Sequence, residues 1–141
     1  MASVHDVAAY ILEQHGPTTA MKLEKLVYYC QAWSLVWDEK PLFNARIEAW
    51  ANGPVIPVLY RRHKGQFQVS EWDGNSDNLT TQQKETIDAV IHFYGPRTAQ
   101  WLSDLTHREK PWLNARVGLE DGERGENEIT PAALHEYYSS L

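Results

Sequence analysis

The segment covering residues 18–37 constrains the fold of this chain more than any other part of the sequence. Its large apolar residues recur at helical spacing in two adjacent stripes, and the polar residues Glu24, Gln31 and Asp38 mark a narrow third side. The main stripe consists of Leu23, Leu26, Val27, Cys30, Trp33 and Trp37. A helix that is apolar over most of its circumference lies inside a domain. The pattern therefore predicts a helix at the centre of the fold, with the main stripe in the core.

Shorter segments carry their own helix start and stop signals. Ser3 with Asp6, Thr80 with Gln83, and Thr130 before a proline are typical of the residues that cap free N–H groups at a helix start. Besides the central helix, we predict helices over residues 4–14, 57–64, 81–94 and 131–138, a helix that ends near residue 107, and a helical turn over 111–116.

Two short segments have the apolar–polar alternation of half-buried strands. They cover residues 46–51 and 66–72, and a sharp turn at Asn52-Gly53-Pro54 follows the first. We expect the two strands to pair with each other. The predicted fold class is mainly α (α+β): a compact helical domain around a central apolar helix, with a small two- or three-stranded antiparallel sheet. A length of 141 residues fits one domain spanning 1–141.

The charge balance limits the class of partner. The formal net charge is −6, whereas proteins held on nucleic acid by phosphate contacts need clustered Lys and Arg. The run over residues 61–64 is the single basic candidate, and its composition favours a solvated helix end over a nucleic-acid patch. The charge balance therefore argues against nucleic acid as a partner.

The sequence also gives an expectation for the compartment. Cys30 is the one cysteine, so no intramolecular disulfide forms. The chain has no apolar stretch long enough to span a membrane and no basic segment followed by an apolar one at its start. We expect a cytoplasmic protein with no membrane partner.

Catalytic and metal-binding patterns are weak. No two histidines have HxxxH spacing, and the sequence has no CxxC, nucleophile elbow or phosphate-binding loop. We therefore predict no metal, no cofactor and no catalytic residue. Asp104 and His107 lie one helical turn apart with Glu109 nearby, so a hydrolase or transferase that uses His107 stays open as an alternative.

Three segments carry a family resemblance. Residues 21–33 are MKLEKLVYYCQAW, residues 47–57 are IEAWANGPVIP with Tyr60 beyond them, and residues 105–112 are LTHREKPW. In this order and spacing they resemble the Panacea domain of SocA-like antitoxins and phage-associated proteins, over roughly residues 4–138.

The resemblance implies a compact, mostly helical domain with a small sheet. It also implies an antitoxin that neutralises its cognate toxin protein by direct contact, with no enzymatic step. A second implied role is that of an adaptor that delivers a toxin to a cellular protease. A phage-encoded regulatory protein with a different host partner stays open as an alternative, as does self-association into a homo-oligomer.

The sequence adds a candidate partner-binding surface. The residues are Lys22, Lys25, Tyr29, Trp50, Gly53, Pro54, Tyr60, His107 and Trp112. If the three segments converge, these residues form one aromatic groove with a few positive charges, suited to a partner's peptide or helix. The alternative is that they converge because they are core, and exposure decides between the two.

The segment over residues 118–128 differs from the rest of the chain. It holds five acidic residues, one arginine and three glycines. Glycines and like charges resist packing, so we predict that it is the most mobile internal segment.

Overall fold

The computed structural model describes residues 2–141. Its helices are α1 Val4–His15, α2 Ala20–Trp37, α3 Pro57–His63, α4 Thr81–Tyr94, α5 Ala99–Arg108, α6 Lys110–Ala115 and α7 Pro131–Tyr138. Its strands are β1 Thr18–Thr19, β2 Glu48–Trp50, β3 Gly53–Val55 and β4 Gln68–Val69, and a 3-10 turn covers Ser76–Asn78. The fold is mainly α with two small antiparallel sheets, which confirms the predicted class.

The predicted capping residues set the helix starts. The Ser3 hydroxyl accepts the Asp6 backbone N–H, and the Asp6 carboxylate accepts the Ser3 N–H, which completes a capping box at α1. Thr80 and Gln83 form the same reciprocal pair at α4, and Thr130 caps α7. These local bonds explain why the helix boundaries follow from sequence so closely.

Helix α2 occupies the centre of the domain, as predicted. It contacts α1, α4, α5, α7 and β3, and every residue from 23 to 32 is buried. Its narrow polar side is enclosed as well. The Gln31 amide accepts the Leu42 and Phe43 N–H groups and donates to the Phe43 carbonyl. The prediction that the whole main stripe lies in the core is wrong at its end, because Trp33 is only partly buried and Trp37 is 50% exposed where α2 leaves the packed interior.

The predicted pairing of the two strand segments is wrong. Strand β2 pairs with β3, and β4 pairs with β1, so residues 46–51 and 66–72 lie in different sheets. The reason is the turn between β2 and β3. Gly53 adopts φ +127°, which lets the chain reverse at once and fill the nearer edge of β2 with β3.

The other edge of β2 forms hydrogen bonds with the end of the segment over residues 118–128, which we call the acidic segment. The Ala49 N–H donates to the Asn127 carbonyl at 2.8 Å, and the Ile129 N–H donates to the Ile47 carbonyl at 2.8 Å. Buried Arg116 also donates to the carbonyls of Glu123 and Ala49. The segment over 118–128 is thus tied to the domain at several points, and its mobility stays a prediction.

Candidate functional site

The first two motif segments line a groove of about 940 Å³, and the third packs against the hairpin beside it, where His107 and Trp112 contact the carbonyls of Ala51 and Trp50. The first turns of α2, the β2–β3 hairpin, α3 with the turn that follows it, the start of α5 and part of the acidic segment line this groove. Concave sites of this size are where proteins bind ligands and partner segments. We call it the motif groove.

Aromatic and apolar side chains form the walls and rim of the motif groove. The rings of Trp50 and Tyr60 meet edge to face, with centroids 4.9 Å apart. Two apolar side chains of the lining project into solvent, since Phe67 is 78% exposed and Met21 is 43% exposed. Exposed apolar groups beside half-buried aromatic residues are typical of binding surfaces.

A buried hydrogen bond between Glu24 and His63 joins the helices below the groove. The Nε2 atom of His63 lies 2.6 Å from Oε2 of Glu24, and Oε1 of Glu24 accepts the Ile56 N–H at 2.9 Å. Because a carboxylate accepts hydrogen bonds, we assign the proton of this contact to Nε2. The pair fixes α3 and the residue before it against α2, so the floor of the groove is preformed.

Lys25 lies beside this pair, and its position depends on the hairpin. It is 2% exposed, and its ammonium donates to the Pro54 carbonyl at 3.1 Å. Burial lowers the pKa of Lys25 to about 8. A Cβ atom on Gly53 would lie 2.8 Å from Cε of Lys25. Glycine at position 53 therefore leaves room for the aliphatic part of the Lys25 side chain.

Three of the nine predicted contact residues line the motif groove, namely Lys25, Trp50 and Tyr60. Of the two alternatives left by the sequence, exposed groove or core, burial holds for the side chain of Lys25, because the hairpin covers this side of the helix. Lys22 is partly exposed and donates to the Gly95 carbonyl at 2.6 Å, so it holds the end of α4.

The other predicted residues support the groove from within the domain. Gly53 and Pro54 are buried in the hairpin. Trp112 is 7% exposed and its indole N–H donates to the Trp50 carbonyl. His107 is partly exposed, and its ring nitrogens contact the carbonyls of Ser103 and Ala51. Whether any of them contacts a partner stays a prediction.

Tyr29 belongs to a buried cluster of hydroxyls around a carboxylate. The hydroxyls of Tyr29 and Tyr138 each donate to Oε1 of Glu109 at 2.7 Å, and Tyr28 contacts the Tyr138 hydroxyl at 3.2 Å. Burial raises the pKa of Glu109, although both hydrogen bonds oppose the shift. Glu109 therefore has a structural role among the described residues.

The alternative catalytic group is not assembled. Asp104 accepts a hydrogen bond from Gln100, Glu109 faces the tyrosine cluster, and both ring nitrogens of His107 face backbone carbonyls. Sequence reasoning also overlooked Glu24 and His63, which form the floor. The available signal was Glu24 itself, because a carboxylate on an enclosed helix requires a hydrogen-bonding partner.

Two further properties of residues 2–141 concern metal binding and membrane spans. No group of three or more His, Cys, Asp or Glu side chains there is arranged to hold a metal ion. None of the helices in that range is both long enough and apolar enough to cross a membrane.

Comparison with known proteins identifies the class. Residues 23–113 match the family described as "Antitoxin SocA-like, Panacea domain", and the chain belongs to this family. The matched residues include most of the three motif segments and most of the residues that line the groove. Membership of this family indicates an antitoxin role.

A curated relative is the antitoxin SocA of Caulobacter vibrioides (strain NA1000 / CB15N). It is 44% identical to this chain over 45 residues, which are 32% of this chain and 24% of that protein. The aligned part thus covers about a quarter of the relative's length. No solved structure matches the chain.

Proposed function

We propose that this protein is an antitoxin that neutralises a cognate toxin by direct binding, and that the motif groove is the surface that holds the toxin. The observation that carries the proposal is that two of the three family segments line one groove, while the third packs against the hairpin beside it. The family match supports the antitoxin role, and the groove is the surface that we propose for binding.

The groove has the features that give binding energy. Trp50, Tyr60 and Phe67 offer aromatic surface at its walls and rim, and a few aromatic anchors dominate the energy of most interfaces. A nanomolar complex needs roughly −12 kcal/mol, which a few such anchors supply when the site is preformed. The Glu24–His63 pair keeps the floor in place before a partner arrives.

The test combines co-expression with a binding measurement. The probe is the protein encoded by the reading frame next to this one, expressed alone and together with the antitoxin. We expect the pair to protect cells and to copurify. A neighbouring product that is not toxic, or that does not bind, would remove the antitoxin proposal. Recovery of a protease or another host protein instead would favour the adaptor role.

Matched phenylalanine variants locate the binding surface. Phe67 lines the groove and is 78% exposed, whereas Phe93 on α4 is 59% exposed and is not part of the lining. We expect Phe67→Ala to weaken toxin binding by about tenfold or more, since loss of an anchor removes over 1 kcal/mol. Phe93→Ala should bind like the wild type. Equal affinities for both variants would place the interface elsewhere.

A further inference from the structure

The ammonium group of Lys25 is a buried charge with one neutral partner. Its only hydrogen bond within residues 2–141 goes to the Pro54 carbonyl, and no carboxylate in that range lies within 4.0 Å of it. Both carboxylate oxygens of the adjacent Glu24 already have other partners, because one accepts the Ile56 N–H and the other contacts His63.

Such an arrangement is uncommon in a folded protein. Buried charges are normally paired, because removal from water is unfavourable unless another charge compensates it. An ammonium has three N–H donors, and Lys25 uses one of them within the described chain. Lys25 also lines the motif groove, so its side chain lies at the boundary between the groove and the interior of the domain.

We propose that Lys25 is the receptor for a carboxylate of the bound partner, which supplies the missing counter-ion. The proposal rests on the proposed function, because it assumes that the partner occupies the motif groove. The carboxylate comes from an Asp or Glu side chain or from the partner's chain terminus. Lys64 lines the same groove and adds positive charge, and the lining Glu126 is paired with Arg124 at 3.4 Å.

Other charged groups also face the site. Glu24 lies on the same helix, His63 and Lys64 come from α3 and the turn after it, and Arg124 and Glu126 come from the acidic segment. Strand β3 packs on Lys25 through Gly53 and Pro54, which do not titrate. A pH effect that belongs to Lys25 must therefore disappear when Lys25 alone is replaced.

The proposal predicts that binding takes up a proton. With a pKa of about 8, free Lys25 is mostly neutral at pH 9, whereas pairing with a carboxylate requires the charged form and raises its pKa. Binding is therefore favoured below pH 8 and weakens as the pH rises. We expect affinity for the neighbouring gene product to fall about tenfold from pH 7 to pH 9, with uptake of about 0.9 proton at pH 9.

Titration calorimetry in buffers of different ionisation enthalpy measures both the affinity and the number of protons taken up. Lys25→Met keeps a long apolar stem and removes the charge, so it should bind more weakly at pH 7 and lose the proton uptake. Lys64→Met is the control, because it removes an exposed amine from the same groove and should keep the uptake. Circular dichroism verifies folding, and if Lys25→Met does not fold, Lys25→Gln, which keeps a donor for the Pro54 carbonyl, takes its place in the same measurement.

The outcomes separate this inference from the proposed function. If the wild type binds, Phe67→Ala weakens binding, and no proton is taken up at pH 9, the groove is correct and the Lys25 proposal is wrong. If the wild type does not bind, or Phe67→Ala has no effect, the proposed function or its site fails first. Amidation of the partner's C-terminus, compared with Asp→Asn and Glu→Gln changes in the partner, identifies the source of the carboxylate.

Discussion

Replacement of Gly53 by alanine tests the link between the hairpin and the central helix. The residue has φ +127°, a backbone conformation that residues with a side chain rarely adopt. The added methyl carbon would lie 2.8 Å from Cε and 3.1 Å from Nζ of Lys25. Both distances are too short, so the backbone or the lysine must move.

Two contributions set the size of the effect. A non-glycine residue in a sparsely populated backbone region costs about 1–3 kcal/mol. Displacement of the lysine also loses its hydrogen bond to the Pro54 carbonyl, and a hydrogen bond of a charged group contributes about 1.5–3 kcal/mol. We expect Gly53→Ala to lower the free energy of unfolding by about 3–5 kcal/mol.

Urea unfolding at pH 7, followed by tryptophan fluorescence, measures this loss. Gly65→Ala is the matched control, because Gly65 has φ +86° and an added Cβ would meet no atom within 4 Å. It should lose only the backbone contribution, about 1–3 kcal/mol as at Gly53. The difference between the two variants is the energy of the contact with Lys25.

A double variant decides whether that interpretation holds. Lys25→Ala removes the atoms that the new methyl group would meet, so Gly53→Ala made in that background should cost no more than Gly65→Ala does. The same large loss with and without the lysine would refute the steric argument. A loss below about 1 kcal/mol in the wild-type background would refute the backbone argument as well.

Other substitutions test the core, the charges and the acidic segment. Leu26→Ala, at a fully buried position, should cost about 2–5 kcal/mol in urea unfolding, and a loss under ~0.5 kcal/mol would contradict its burial. Lys22→Glu with Lys25→Glu should lose roughly 3–5 kcal/mol, because it buries a carboxylate beside Glu24; a normal melting temperature would show a solvated site. Arg116→Ala should speed cleavage within residues 118–128 by a glutamate-specific protease, and unchanged cleavage would mean that the guanidinium does not hold the segment. Burial raises the pKa of Glu109, so the wild type loses the associated stability as pH rises through that pKa. Urea unfolding from pH 4 to pH 8 should therefore show a relative gain for Glu109→Gln, and parallel profiles would contradict it.

The sequence was informative where structure is local. Caps and 3.6-residue periodicity depend on neighbours within a few positions, so the helix limits at Ser3, Thr80 and Thr130 could be predicted. Strand pairing depends on which distant segment the fold brings to the edge of a strand. The pairing of β1 with β4 joins residues 18–19 to 68–69, and no local pattern contains that information.

The same contrast between local and long-range information applies to the candidate site. Trp50 and Tyr60 were placed at the groove because family motifs mark them, and both line it. A helical wheel gives the side of α2 on which Lys25 lies but not what packs against that side, so the exposure of the lysine could not be predicted. The Glu24–His63 contact joins residues 39 positions apart, and its discovery required the fold.

The cluster around Glu109 also bears on the timing of synthesis. Its hydroxyl donors come from α2 and α7, which lie near opposite ends of the described chain, and the Tyr28 hydroxyl contacts that of Tyr138. A ribosome delivers α2 first, so these groups stay incompletely bonded until residues 131–138 have emerged. The central helix, and the groove that it supports, therefore reach their final state only after α7 has docked.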